Sequence, residues 1–247
     1  MVVRRVARWA DRYRDQILSA SMTGIGLLNE KALHASLKQW YARPEDRFEV
    51  PVDGFVIDIV RGDLLIEIQT GNFSSIKSKL TKLTHGHRVR LVYPIVQEKW
   101  ILRSATGNSK GAIRRKSPKR GRVEDLFWEL VSIPQLLTNP NFSLEVLMIS
   151  GEEVRLYSKA TRRVRKGWLI EGRRLLDVLD QRSFSQSADW LRFLPDGLEL
   201  FTTSDIASRM NTRIELAQKI AYCLREARMI ELIGKRGRAN LYRVPFV

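Results

Sequence analysis

The chain carries one cysteine, Cys223, in 247 residues, so no intrachain disulfide can form, and this usage suits a reducing compartment. Cys223 falls in an apolar helical stretch and reads as a small buried residue rather than a nucleophile. Histidine is also scarce, with three in all. His85 and His87, in Thr84-His-Gly-His-Arg88, have neither cysteines nor a third histidine near them, too few for a zinc site, and read as loop residues. No apolar run approaches the roughly 18 residues of a membrane span. The opening Met1-Val-Val-Arg-Arg-Val-Ala-Arg-Trp-Ala-Asp11 is interrupted by charge and reads as a basic amphipathic helix to about Ile17, expected to pack or to touch nucleic acid rather than membrane. The expectation is a soluble, cytoplasmic protein without a membrane partner, associated with the nucleoid when bound to DNA. Acid is the other shortage. Lys and Arg number 43 against 27 Asp and Glu, a net charge of +16 and a pI near 10.4, an excess that steers a protein toward phosphates.

What is present is enough apolar residue, 44%, to bury a core and to build two domains. The basic residues cluster. Residues 103–122 hold Arg103, Lys110, Arg114, Arg115, Lys116, Lys119, Arg120 and Arg122 with no acid. Rich in Gly and Ser, the stretch reads as a mobile surface loop, with Arg114, Arg115, Lys116, Lys119 and Arg120 gripping a phosphate backbone. A second run, Lys159 to Lys166 with Arg162, Arg163 and Arg165, extends the basic track.

Chemistry concentrates in Phe55-Val-Ile-Asp-Ile-Val-Arg-Gly-Asp-Leu-Leu-Ile-Glu-Ile-Gln-Thr70. Two apolar strands flank Gly62-Asp63, a dipeptide suited to a two-residue hairpin turn. That turn pairs Arg61 with Leu64 and sets Asp58 opposite Glu67 and Val56 opposite Gln69. Directly paired side chains have Cβ atoms about 4.5–5.5 Å apart. Two half-buried carboxylates that close repel unless a cation or a shared proton lies between them. A slipped register or a solvated sheet face is the competing reading.

Upstream, Leu27 to Tyr41 has helical periodicity, with an apolar face through Leu33, Leu37, Trp40 and Tyr41. Glu30 falls on that face, while Lys31 and Lys38 point away. A carboxylate turned to the core wants a partner, although the macrodipole at a helix start is an alternative reason for an acid there. Strands are expected at 88–95, 99–103, 143–149 and 153–157, and helices at 74–83 and 126–137, the last around Phe127, Trp128 and Leu130. The fold class is α/β, a mixed sheet flanked by helices.

Glu30 on the first helix, Asp58 on a strand, Glu67-x-Gln69 on the next and a helix after it resemble the PD-(D/E)XK nuclease superfamily, the restriction-endonuclease-like fold. The resemblance covers roughly Leu27 to Pro94 and departs from the pattern at Gln69, where the family usually has Lys. It implies metal-dependent hydrolysis of phosphodiester bonds in DNA. Asp58, Glu67 and the Ile68 carbonyl would hold Mg²⁺ or Mn²⁺, Gln69 would orient water, and Glu30 would hold a metal-bound water or a second ion. A Gln amide brings no positive charge, and Lys77 and Lys79 on the following helix are the nearest sources of one. Cutting both strands of a duplex needs two sites, so a homodimer is consistent with this reading.

The last sixty residues give a separate signal. Ser187 to Leu194, Thr202 to Met210 and Arg213 to Met229 read as helices, followed by strand-like 230–234 and 239–244 around Lys235-Arg-Gly-Arg238. This order resembles a winged-helix domain. Ile214, Ala217, Ile220, Ala221 and Leu224 would face its core. Gln218, Lys219, Tyr222 and Arg225 would face the major groove, and Lys235, Arg236 and Arg238 would sit on the wing. The expected organisation is a nuclease-like domain at 1–160, a connecting segment at 161–184 and a winged-helix domain at 185–247. Two functions compete: a metal-dependent DNA endonuclease docked by the winged helix, and a DNA-binding protein that keeps the nuclease fold without its activity.

Overall fold

The computed structural model describes residues 25–103, 112–157, 168–194, 196–197 and 199–245, and side chains from residue 32 onward. The elements run α1 (Ile25–Tyr41), β1 (Arg47–Val52), β2 (Phe55–Arg61), β3 (Leu64–Ile68), α2 (Lys77–Leu83), β4 (Arg88–Arg103), β5 (Ile113–Lys116), α3 (Phe127–Leu130), β6 (Phe142–Tyr157) and β7 (Trp168–Phe184). Then come α4 (Ser187–Leu191), β8 (Leu200–Phe201), α5 (Thr203–Arg209), α6 (Ile214–Glu226), β9 (Glu231–Arg236) and β10 (Ala239–Arg243). The fold is mixed α/β. Among the described residues seven strands form one sheet, in the order β1-β2-β3-β4-β6-β7 with β5 on β4, and three form a second, in the order β8-β10-β9. No helix among the described residues is long and apolar enough to cross a membrane.

Two tight turns set the register of the first three strands. Asp53 and Gly54, at φ 49 and 80, join β1 to β2 with Val52 opposite Phe55. Positive φ at both central residues is the geometry of a type I′ hairpin, which Asp-Gly favours. Gly62, at φ 58, begins the turn that pairs Arg61 with Leu64, Val60 with Leu65 and Ile59 with Ile66. β3 then runs parallel to β4, Glu67 opposite Leu91 and Ile68 opposite Val92.

Several expected elements take another form. The strands foreseen at 88–95 and 99–103 are one strand, β4, which carries Pro94 in its interior. The proline lies between the β3 pairing, which ends at Val92, and the β5 pairing, which begins at Trp100, so no ladder bond to either is lost. The two strands foreseen between 143 and 157 are likewise one, β6. The helix foreseen over 126–137 is only one turn of α-helix, α3, between 3-10 turns at Val123–Leu126 and Pro134–Thr138, because Pro134 cannot continue a helix and biases Ile133 away from helical geometry. Part of the foreseen basic loop at 103–122 is strand, since Ile113–Lys116 pairs antiparallel with Trp100–Arg103. The foreseen connecting segment at 161–184 ends in a 17-residue strand, β7. Its paired charges break the alternation that marks a half-buried strand. The run Lys159–Lys166 and the basic opening to Ile17 lie outside the described residues.

The chain divides into two compact units rather than at residues 160 and 185. The first comprises Met1–Glu45, Val96–Arg120 and Ile149–Leu179, and the second Asp46–Ile95, Gly121–Met148 and Asp180–Val247. In the first, α1 buries Leu33, Leu37 and Tyr41. Trp40, expected on that face, is 42% exposed, and Lys38, expected to point away, is 7% exposed. The buried stripe is rotated toward position 38, where the aliphatic stem of a lysine covers apolar surface as a methylene chain does. In the second unit the C-terminal helices share a core with the 3-10 turns. Phe184 stacks on Trp190 at 5.0 Å and on Phe193 at 5.4 Å, and Trp190 Nε1 donates to the Leu137 carbonyl at 3.1 Å.

Trp190 is 1% exposed, so Trp190→Ala is expected to cost about 3–5 kcal/mol. Trp190→Phe keeps the stacking but leaves the Leu137 carbonyl without its donor, a loss of about 1–3 kcal/mol. Urea unfolding of the three proteins measures both, and an alanine variant with the wild-type midpoint would contradict this packing.

Candidate active site

The site is built on β2, β3 and α2, all in the second unit. Apolar residues pin the strands: Ile57, Ile59 and Ile66 are fully buried, Ile68 is 2% exposed, and Val60 and Leu65 are 4% exposed. The paired register ends at Ile59 and Ile66, one residue short of Asp58 and Glu67, and Val56 and Gln69, expected opposite each other, are not among its pairs. There the ladder changes character, because Asp58 Oδ2 accepts the Ile68 N–H at 2.9 Å. The carboxylate takes a main-chain donor at the end of β3 and is thereby fixed in place.

Glu67 is 6% exposed. Lys79, the third residue of α2, brings Nζ to 2.6 Å from Glu67 Oε1 and donates to the Val56 carbonyl at 2.6 Å. The ammonium meets Oε1 as a close, charge-assisted contact, and Oε1 receives no further donor. Burial first, and the neighbouring Asp58 charge second, raise the Glu67 carboxyl to about 7, against the opposing pull of Lys79. The arrangement is an acid held near neutrality, a second acid beside it, and an ammonium within reach of both a carboxylate and a carbonyl.

The other sequence candidates fall as follows. Lys77 is exposed and makes no ion pair among the described residues, since residues two apart on a helix do not share a face. Gln69 uses Nε2 to donate to the Gly71 carbonyl and, at 3.5 Å, to the Asn72 carbonyl, while its N–H donates to Val92. Its amide closes the turn that leaves β3. The side chain of Glu30 lies outside the described residues. Among the described residues no three His, Cys, Asp or Glu side chains gather in a metal-binding group. Asp58 and Glu67 with the Ile68 carbonyl are the oxygen ligands on hand, all hard donors of the kind Mg²⁺ and Mn²⁺ prefer. A buried carboxylate oxygen whose one close partner is a cation fits such an ion.

Two residues that sequence reasoning missed hold the turn after Gln69. Glu129 Oε2 accepts the Phe73 N–H at 3.0 Å, and Phe73 meets Tyr93 edge to face at 5.0 Å. Burial, then the charges of Glu129 and Asp125, push the Tyr93 phenol up, so it stays protonated. Tyr93 was accessible from the sequence, since the parallel register carries it opposite Gln69. Glu129 joins the turn from 56 residues away, with no local signal.

The predicted DNA contacts fall on three elements. On β5, Arg114 pairs with Glu152 at 2.7 Å and lies 4.1 Å over the Trp100 ring, and Lys116 pairs with Glu98 at 2.8 Å. Arg115, Lys119 and Arg120 are exposed. On α6, Gln218 and Tyr222 are exposed, Lys219 lies 5.0 Å over the Trp128 ring, and Arg225 pairs with Glu226 at 2.9 Å. Ala217, Ile220, Ala221 and Leu224 face the core as expected, whereas Ile214 is 38% exposed and Leu216 and Cys223 are buried instead. At the first turn of α6 the buried stripe starts at Leu216, leaving Ile214 outside it. Burial pushes the Cys223 thiol up to about 12. On the β9–β10 hairpin, Lys235 and Arg238 are exposed, and Arg236 reaches Asp205 at 3.2 Å. Neither foreseen loop histidine sits in a cluster of ligands: His85 is exposed, and His87 pairs with Asp53 at 2.8 Å.

Residues 31–185 match the family described as "Domain of unknown function (DUF8091)". A relative, "Uncharacterized protein" of Treponema pallidum (strain Nichols), is 30% identical over 223 residues, covering 89% of this chain and 87% of that one. No solved structure matches the chain. The family match takes in Asp58, Glu67 and Lys79 and ends before α4.

Folded Glu67 keeps its proton to about pH 7, whereas the unfolded chain releases it near 4.5. The stability this group contributes is therefore present in full below about pH 4.5 and is lost as pH rises through 7, at most about 3 kcal/mol. Glu67→Gln, neutral at every pH, is expected to flatten that decline and to exceed wild-type stability at pH 8. Urea unfolding across this range measures it, and parallel pH profiles for the two proteins would refute the raised carboxyl.

Proposed function

We propose that this chain, which belongs to the DUF8091 family, is a metal-dependent nuclease that hydrolyses phosphodiester bonds in DNA. The reading rests on one observation: a buried Glu67 whose carboxyl feels the charge of Asp58 on the neighbouring strand, with the Lys79 ammonium 2.6 Å from the Glu67 carboxylate. Asp58, Glu67 and the Ile68 carbonyl would hold Mg²⁺ or Mn²⁺, which when bound acidifies a water and offsets charge building on a phosphate. The chain's own groups do the rest. Asp58 is oriented by the Ile68 N–H. Lys79 supplies the positive charge that Gln69 does not carry, from a helix instead of the strand, and places it where it can stabilise a phosphate oxygen. Because the Gln69 amide nitrogen is committed to main-chain carbonyls, the amide oxygen is the atom left to hold a water.

The C-terminal elements support a winged-helix reading. Helix, strand, two helices and a hairpin, with the sheet order β8-β10-β9, follow that domain's arrangement. The exposed Gln218 and Tyr222 on α6 and Lys235 and Arg238 on the hairpin are the proposed DNA contacts. Arg236 is the weaker member, since it is drawn to Asp205.

A second reading, a DNA-binding protein that keeps the nuclease fold without activity, is favoured by the same ion pair, because Lys79 already neutralises the charge a metal would serve. Incubating purified protein with supercoiled plasmid and Mg²⁺ or Mn²⁺ separates the two. The nuclease reading expects nicking that falls at least about a hundredfold in Asp58→Ala and Glu67→Ala, as loss of electrostatic stabilisation in a catalytic site does, and that also falls in Lys79→Ala. No nicking in either metal, or nicking indifferent to both carboxylates, would leave the second reading.

A further inference from the structure

The positive charge is divided very unevenly between the two units. The unit made of Met1–Glu45, Val96–Arg120 and Ile149–Leu179 holds 24 Lys and Arg against 9 Asp and Glu, a net of +15. The other, which contains the carboxylate pair and the C-terminal helices, holds 19 against 18, a net of +1. Almost the whole excess therefore belongs to the unit that contains neither the carboxylate pair nor the hairpin of β9 and β10. A field so lopsided destabilises its own unit by self-repulsion unless a polyanion relieves it.

Within that unit the described structure shows where cations are presented. Within the seven-stranded sheet β5 forms an antiparallel ribbon with the end of β4, Trp100–Arg103 against Ile113–Lys116, and all four β5 residues are exposed. One face is braced. Arg114 lies over the Trp100 ring at 4.1 Å and pairs with Glu152 at 2.7 Å, and Lys116 pairs with Glu98 at 2.8 Å. The Lys116 hydrogen bond, with Arg120 as a further nearby cation, holds the Glu98 carboxyl below the usual range. These pairs fix the ribbon. Arg115 projects from its opposite face, by strand alternation, and Lys119 and Arg120 follow directly. All three are exposed and make no ion pair among the described residues.

We propose that this ribbon is the phosphate-backbone clamp of the protein, with Arg115, Lys119 and Arg120 contacting successive phosphates of a DNA duplex. The proposal rests on the DNA reading above and adds the surface that grips the substrate. Arg114, Lys116 and Trp100 brace the strand that presents Arg115 and leads to Lys119 and Arg120, so little backbone freedom is lost there on binding. Contacts of this kind carry affinity without sequence preference.

The test is anisotropy titration of a labelled duplex by the full chain, in EDTA to prevent cleavage, across a series of KCl concentrations. Three proteins are compared: wild type, Arg115→Ala/Lys119→Ala/Arg120→Ala, and a charge-matched control, Arg182→Ala/Arg192→Ala/Arg228→Ala, whose exposed arginines lie in the near-neutral unit. Three lost phosphate contacts lower the slope of log K against log salt by about 2.7 and weaken binding near 0.15 M salt by about a hundredfold. The control keeps the wild-type slope. A ribbon variant with the wild-type slope overturns the assignment, as does an equal loss in the control, which would make the effect one of net charge, or a wild type that does not bind duplex at all. A protein that shows the ribbon effect yet never nicks plasmid removes the nuclease reading and leaves the clamp standing.

Discussion

A carboxylate placed in the dry interior of a sheet beside another carboxylate is the constraint around which the proposed site is organised. At an effective dielectric near 20, two charges about 5 Å apart repel by about 3 kcal/mol, and burial adds a further penalty to the charged form. Apolar neighbours leave no freedom to escape it, since a one-residue slip would turn Ile57, Ile59, Ile66 and Ile68 to the wrong face. The chain answers with Lys79 against Glu67 and the Ile68 N–H against Asp58. Neither removes the strain, and Glu67 stays near neutrality. A position that expensive, in strands otherwise made of Val, Ile and Leu, is a position where a cation is wanted.

The charge pattern extends this into a division of labour. The unit with the carboxylate pair is close to neutral, and the cations near its acids are individually assigned: Arg61 to Asp46, Arg90 to Glu145 and Lys79 to Glu67. The other unit carries the excess. There even the buried acids of β6, Glu152 and Glu153, are met by Arg114, Lys99 and Arg155, and further cations remain exposed. On the proposed nuclease reading, long-range attraction to phosphate and short-range handling of it would fall to different residues, so that the site keeps a balanced charge while the protein as a whole is strongly basic.

Much of this was legible in the sequence. Gly62-Asp63 and the period of two around it gave the turn that pairs Arg61 with Leu64, Val60 with Leu65 and Ile59 with Ile66, because a two-residue turn leaves little choice. Asp53-Gly54 carried an equally clear signal for β1 that was passed over beside the charged Arg47-Phe-Glu-Val stretch. The order of C-terminal elements was also readable, since Thr202 and Asp205 cap α5 reciprocally. What was hidden depended on distance or on tertiary context. Nothing local distinguishes Lys79 from Lys77 until α2 is laid on the sheet, and Glu129 meets Phe73 across 56 residues. The strand character of β7 and the partial order of the basic stretch at 113–116 come from neighbouring strands that override weak local preference.

The most direct measurement is the titration of the Glu67 carboxyl itself, by carbon-13 NMR of glutamate-labelled protein with Glu67→Gln to assign the resonance, in the absence and presence of Mg²⁺. A cation-holding site predicts a midpoint near pH 7 without metal and one well below that when Mg²⁺ is added. A midpoint that Mg²⁺ does not move, or one at the ordinary carboxylate value from the start, would contradict it.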